Sequence, residues 1–211
     1  LGKVDTFNKK SPQETVDPAP VEAVQTESVE AETVTKKTTP VKDSKPVVIK
    51  PSEISFEEDT NTGYAARTRV NASADATIAI AVTFSSAGER LTKREVEKQG
   101  KLYIPIDVSE KLSFTKRDIA NIVDQLNSTG ATSLNIAGNG IYSMKGKYTQ
   151  ERVDEFTFGL LKAISAHPDL VNPITSVRSG GQSGFDEAGA KAGAKLGLPT
   201  TVLAPKGWKF R

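Results

Sequence analysis

Cysteine is absent from all 211 residues, so the chain can form neither a disulfide nor a thiolate metal site, and its chemistry suits a reducing compartment. A single histidine, His167, precedes Pro168 at an expected helix end and reads as a cap. With histidine and cysteine excluded, a metal would have to rest on carboxylates, and none stand at ligand spacing, so no metal is expected. No apolar run approaches the ~18 residues of a membrane span, and no basic stretch leads into an apolar signal core. The chain is therefore expected to be soluble and to have no membrane partner. An excess of one charge is missing too. The net charge is +2, and the Lys and Arg residues are dispersed without interleaved aromatics, which gives no nucleic-acid surface.

That near-neutral total conceals an asymmetry. Residues 1–60 carry 8 basic and 12 acidic side chains, and residues 61–211 carry 20 basic and 14 acidic, so the two parts are −4 and +6. An anion belongs in the basic part. Residues 1–55 hold six of the eleven prolines, one aromatic residue (Phe7) and one glycine. With no helical or strand period, such a segment cannot bury enough apolar surface to offset its ordering entropy. It is expected to be a disordered or extended Pro/Thr/Glu/Lys-rich arm, either a linker or a segment that orders on a protein partner. The chain begins at Leu1 rather than methionine, as expected of a processed product or a piece of something longer.

From Ala76 onward, short continuous apolar runs alternate with helical periodicity, the pattern of a mainly parallel sheet covered on both faces. The expected fold is a Rossmann-like, three-layer α/β domain over residues 64–211. Strands are legible at Thr77–Thr83, Leu102–Ile106, Ser133–Ala137, Thr175–Arg178 and Thr200–Ala204, with Pro105 placing its strand at an edge or an end. Helices are expected over Leu91–Lys98, ending near Gly100, then over Lys116–Asn127, Gln150–Ser165 and Phe185–Leu196. In the last of these Ala188, Gly189, Ala192 and Gly193 share one stripe. Each interior glycine costs about 1 kcal/mol relative to alanine, so very close approach to a neighbouring element must compensate.

The segment Val177–Asp186 runs from a strand through Ser179, Gly180, Gly181, Gln182, Ser183 and Gly184 directly into a helix. Glycines allow sharp turning and close approach to a ligand, while free N–H groups and the dipole at a helix start favour an anion. The plain alternative is a tight strand-to-helix turn without a ligand. Three further loops are expected at the same end of the sheet: Thr83–Gly88 with Ser86 and Gly88, Ala137–Tyr142 with Gly138 and a tyrosine able to stack, and Pro205–Trp208 with Lys206. Arg178 or Arg67 is the candidate anion partner. Asp186 and Glu187 are either dipole partners of the first helical turn or, in an enzyme, ribose-binding or acid/base groups.

Ser179–Asp186 resembles the SGGQTGVD signature of the molybdenum carrier family, and Leu196–Pro199 with Pro205–Gly207 resembles that family's continuation. Arg67-Thr68, Asn71, Asp75–Thr77 and Ser85–Gly88 are similar to its RT..N....DAT strand and following loop. The order is inverted, the DAT strand coming first, which resembles a circular permutation. The spacing Gly180 to Glu187 resembles the glycine loop of the LOG phosphoribohydrolases, and the same segment is similar to DNA-processing protein A. All three belong to the SLOG superfamily. The resemblance implies a nucleotide-like ligand held by Arg178, Ser179, Gly180, Gly181, Gln182, Ser183, Gly184, Gly138, Ser86, Gly88 and Lys206. It leaves the cofactor open, and molybdenum finds no ligands among these residues. Three functions remain: a module binding a nucleotide-type or anionic small ligand, a phosphoribohydrolase-type hydrolase using Glu187 with Asp186, and a structural or cargo protein docked by residues 1–55. The wording of Asn71–Thr92 also resembles proteins of tailed phages of gut Bacteroidetes, including the crAss-like group, which implies virion proteins as partners and a place in the virion or the host cytoplasm.

Overall fold

Alternation of sheet-forming runs and amphipathic helices gives six strands in a single all-parallel sheet, seen in a computed structural model that describes residues 50–60 and 63–208. In chain order the elements are β1 (Ile54–Glu58), α1 (Tyr64–Asn71), β2 (Ala76–Ala81), α2 (Ala87–Lys98), β3 (Leu102–Asp107), α3 (Lys116–Thr129), β4 (Ser133–Gly138), α4 (Gln150–Ser165), β5 (Ser176–Ser179), α5 (Phe185–Lys195) and β6 (Thr200–Ala204). Short 3-10 turns follow β4 at Ile141–Met144 and β6 at Lys206–Trp208. The strand order is β1-β6-β5-β4-β2-β3. Strand β3, with Pro105, is an edge, as its proline requires. All described residues fall within one compact unit, Pro46–Arg211.

Three elements differ from expectation. Strand β1 begins within the last residues expected to belong to the arm and pairs with β6, Ile54 opposite Thr200 and Glu58 opposite Ala204. The rest of the expected arm, residues 1–49, lies outside the described residues. Helix α1 has no apolar period because its buried residues are polar, Arg67 and Asn71. Helix α2 begins four residues earlier than expected, at Ala87, because Ser86 caps it by accepting the Glu89 N–H at 3.2 Å. Helix α3 is fixed at its start by the Thr115–Asp118 capping box and stopped by left-handed Gly130.

Neighbouring parallel strands share faces in register, and the two faces of this sheet differ in kind. On one, Ile78, Ile80, Leu134, Ile136 and Val177 join Ile122, Leu126, Phe156, Leu160 and Phe185 of α3, α4 and α5 in the hydrocarbon core. Helix α5 reaches it closely. A Cβ on Gly189 would meet Ile136 at 2.4 Å, and one on Gly193 would meet Thr200 Oγ1 at 2.6 Å and Val177 Cβ at 2.9 Å, so the glycine stripe answers to the sheet. The other face carries Thr77, Asn135 and Arg178 side by side under α1 and α2, with Ala79 and Ala137 keeping it low. Those two helices contribute buried Arg67, Asn71, Glu89 and Glu95. The polar layer between them builds the site.

Candidate functional site

Chain direction reverses between β2 and β4: β2 leads outward to β3, whereas β4 leads the other way through β5 to β6 and β1. In an open parallel sheet the carboxyl ends of the two strands at such a switch leave a crevice between their loops. Asn139 fixes its floor. Its Oδ1 accepts the N–H groups of Val82 at 2.9 Å and Thr83 at 3.1 Å, and its Nδ2 donates to Thr83 O at 3.2 Å and Glu89 Oε1 at 3.0 Å. A fully satisfied buried amide of this kind locks the end of β2, the loop after β4 and the start of α2 together. Two contiguous cavities result, an inner one of about 60 Å³ and an outer one of about 370 Å³. They share Tyr64, Gly88, Glu89, Gly138 and Gln182.

The inner chamber is lined by Arg67 and Asn71 from α1, Glu89 from α2, Asn135 from β4 and Asp186 from α5, among others. The Asp186 carboxyl is pushed up to about 7 by burial, against the opposing pull of Arg67 and of the Gly138 and Gln182 N–H groups that donate to it. Glu89 is also raised to about 7, first by burial and then by the Asp186 charge. Two carboxyl groups that titrate near neutrality, facing one guanidinium in a cleft, are the kind of arrangement found at functional sites. Tyr64 closes the roof. Its hydroxyl donates to Gln182 Oε1, the Arg67 guanidinium lies 4.7 Å from its ring centre, and burial raises its own pKa.

The glycine loop does something other than present free amides. The Gly181 N–H donates to Ser179 Oγ at 3.3 Å, the Gln182 N–H to the Asp186 carboxylate, and the Gly184 N–H to Gln150 Oε1 at 2.7 Å. The Asp186 carboxylate occupies the place an anion would take. The glycines serve the protein's own packing as well: a Cβ on Gly180 would fall 2.4 Å from Asp186 Oδ2, and one on Gly184, whose φ is +99°, would fall 2.3 Å from Asn139 O. Gly138 is required by Ile80 O, 2.0 Å from where its Cβ would stand. Ser179 donates through Oγ to Asp186 O at 2.5 Å.

Of the expected ligand contacts, Gly138, Gly180 and Gln182 line the crevice, as do Ser86 and Gly88 in and beside the first turn of α2. Arg178, Ser179, Gly181, Ser183, Gly184 and Lys206 line neither cavity. Arg178 faces the polar side of the sheet, where its Nη2 lies 4.0 Å from Glu57 Oε2. Glu187 pairs with Lys191 at 2.5 Å on the outer side of α5 and lines neither cavity. Tyr142 is 89% exposed. His167 follows α4, and its Nδ1 accepts the Asp169 N–H at 3.3 Å, closing the turn rather than the helix. Among the described residues no three His, Cys, Asp or Glu side chains gather as a metal would need, and no helix is long and apolar enough to cross a membrane.

Sequence reasoning missed Glu89, Asn135 and Asn139. One signal was present: Ser86-Ala-Gly-Glu89 is a capping-box pattern, which marks the helix start and places a carboxylate at the crevice. Here the Glu89 carboxylate turns to Asn139 instead of back to the cap.

The profile of the circularly permutated YpsA SLOG family matches residues 40–153, just over half of the chain. The chain belongs to that family. The match spans β1 to the first residues of α4, so it contains the α1, α2 and β4 contributions to the crevice, while the glycine loop and Asp186 lie beyond it. For this permuted SLOG domain the inverted order of the glycine loop and the β2 strand is thereby explained, and family and fold together support a small-ligand-binding module. No curated protein sequence matches the chain. Among solved structures, an NADH-dependent butanol dehydrogenase A from Thermotoga maritima is similar at 11% identity and a TM-score of 0.36. That likeness covers 73% of this chain, which spans 42% of the dehydrogenase's length, and carries nothing about function.

Proposed function

We propose that this SLOG domain is a binding module for a nucleotide-type, phosphate-bearing small ligand seated in the crevice between α2 and the loops after β4 and β5. The observation that carries the reading is the crevice itself, a polar inner chamber opening into a cavity of about 370 Å³ at the switch point of the sheet. The outer cavity is bounded by Ser86, Ala87 and Gly88, where the first N–H groups of α2 have no acceptor within the helix and the dipole favours negative charge. The anion is assigned there rather than to Gly181–Gly184, whose donors are mostly committed. Calorimetric titration with the four ribonucleoside 5′-monophosphates and with inorganic phosphate tests this. At least one nucleotide should bind more tightly than phosphate, and absence of binding by all of them at millimolar concentration refutes the reading.

One observation favours a hydrolase as the second reading: Glu89, with its pKa near 7, is placed for acid/base work that Glu187, paired with Lys191, is not. Release of ribose 5-phosphate from a nucleoside monophosphate, lost in Glu89→Gln, is its test. The segment ahead of β1 is proposed to dock the domain on a protein partner, and the phage resemblance suggests a virion protein for that partner; finding the chain in purified particles by mass spectrometry tests that proposal.

A further inference from the structure

Three side-chain oxygens of the inner chamber lack a hydrogen-bond partner. Asn71 Oδ1, Asn135 Oδ1 and Glu89 Oε2 are all buried without a hydrogen-bond partner, on side chains that are 6%, 2% and 5% exposed. All three residues line the chamber, and they come from three different elements. Each is an acceptor. A buried polar atom without a partner is costly, so three of one kind converging on one small space call for an occupant that supplies donors. The partners of the neighbouring groups are already settled: Asn135 Nδ2 donates to Thr77 Oγ1 at 3.2 Å, and Glu89 Oε1 accepts from Asn139.

The chamber's chemistry narrows that occupant. A phosphate brings only acceptors at neutral pH and would face Asp186 and Glu89. An ammonium brings donors but would face the Arg67 guanidinium. A pair of neutral hydroxyls donates to the orphaned oxygens without confronting either charge. The size agrees: about 60 Å³ is room for the edge of a sugar ring and far too little for a nucleobase. We infer that the inner chamber binds the vicinal diol of a ribose, so that the ligand enters sugar edge first and leaves its phosphate at the start of α2. This rests on the nucleotide reading above and specifies which nucleotides qualify, namely ribo rather than deoxyribo.

The experiment is a matched titration of the whole chain with the four ribonucleoside 5′-monophosphates and their 2′-deoxy counterparts. Removing one hydroxyl that donates to a buried oxygen should weaken binding by about tenfold or more. The same comparison in Asn135→Leu, which deletes one of the orphaned acceptors, should bring the ribo-to-deoxy ratio down toward one, and Asn71→Ala provides an independent second variant should the first fail to fold. Ribo and deoxy forms binding equally to the wild-type chain would overturn the diol assignment while leaving the nucleotide reading intact. Failure of every nucleotide to bind would remove the nucleotide reading, and the diol assignment with it. A ratio that survives in both folded variants would overturn the assignment of the orphaned acceptors as the diol's partners.

Discussion

Replacing Glu89 by glutamine should stabilise this protein, and only above mildly acidic pH. The Glu89 carboxyl is held by Asn139 through one oxygen, leaves the other oxygen buried without a partner, and sits near Asp186. Its pKa stands at about 7 against 4.5 for an unperturbed glutamate. Because the folded value lies above the unfolded one, the protonated form is the one folding favours. The contribution is fully present below pH 4.5 and is lost as pH rises through about 7. At ~1.4 kcal/mol per unit, the loss is on the order of 3 kcal/mol by pH 8. Glutamine keeps the oxygen that Asn139 donates to and cannot ionise, so it removes this component while Asp186 goes on titrating. Urea unfolding followed by circular dichroism at pH 5 and pH 8 is the assay. Glu89→Gln should lie within about 1 kcal/mol of the wild type at pH 5 and exceed it by a few kcal/mol at pH 8, about 5–10 °C in Tm for a domain of this size. A stability difference that does not change with pH, or a variant less stable at pH 8, would refute the reasoning. A protein that keeps a destabilising carboxyl in its crevice fits the usual trade between stability and a working site.

Three further outcomes are expected. Gly180→Ala should lower stability by about 1–3 kcal/mol and weaken nucleotide binding, because its Cβ would stand 2.4 Å from Asp186 Oδ2, and chemical denaturation with a parallel titration measures both. Gly193→Ala should cost a comparable ~1–3 kcal/mol through contact with Val177 and Thr200 but leave affinity unchanged in the folded fraction, since α5 meets the sheet there on the face opposite the crevice. The preference for ribonucleotides over deoxyribonucleotides should grow as pH rises through 7. Hydroxyl donors favour the ionised forms of Glu89 and Asp186, against a background set by Arg67 and Tyr64 of α1 and Tyr103 of β3, and a preference that instead declines with pH would mean that the ligand accepts from the protonated carboxyls rather than donating to their oxygens.

What was legible in the sequence follows the hydrocarbon. The strands β2 to β6 and the helices α3, α4 and α5 bury apolar side chains against one another, so their period is written in Ile, Leu, Val and Phe and, along α5, in Ala and Gly. Helix α1 was not legible because what it buries is Arg67 and Asn71. Strand β1 was not because Ser55 to Glu58 are exposed, as suits a charged edge. The site divides in the same way. Glycines announced the crevice, but their hydrogen bonds and close contacts belong largely to Asp186, Asn139 and Gln150, and the groups that line the chamber had no pattern of their own apart from the resemblance at Arg67 and Asn71. A sequence shows where the backbone turns sharply more readily than which buried oxygen remains unpaired.

The pairing of β1 with β6 bears on the order in which the domain can be made. Ile54 meets Thr200, Ser52 N donates to Ala194 O at 2.9 Å, and Asp59 N donates to Ala204 O at 2.8 Å. During synthesis β1 leaves the ribosome first among the described strands, yet its one partner among them is the last to emerge. Until then a short segment with Ile54 and Phe56 has nothing to pair with, and the pairing closes one of the longest loops the domain allows, a step that slows folding and prolongs exposure to chaperones and proteases. A nascent chain arrested before Thr200 should therefore show β1 open to cleavage even where β2, β3 and β4 are already protected.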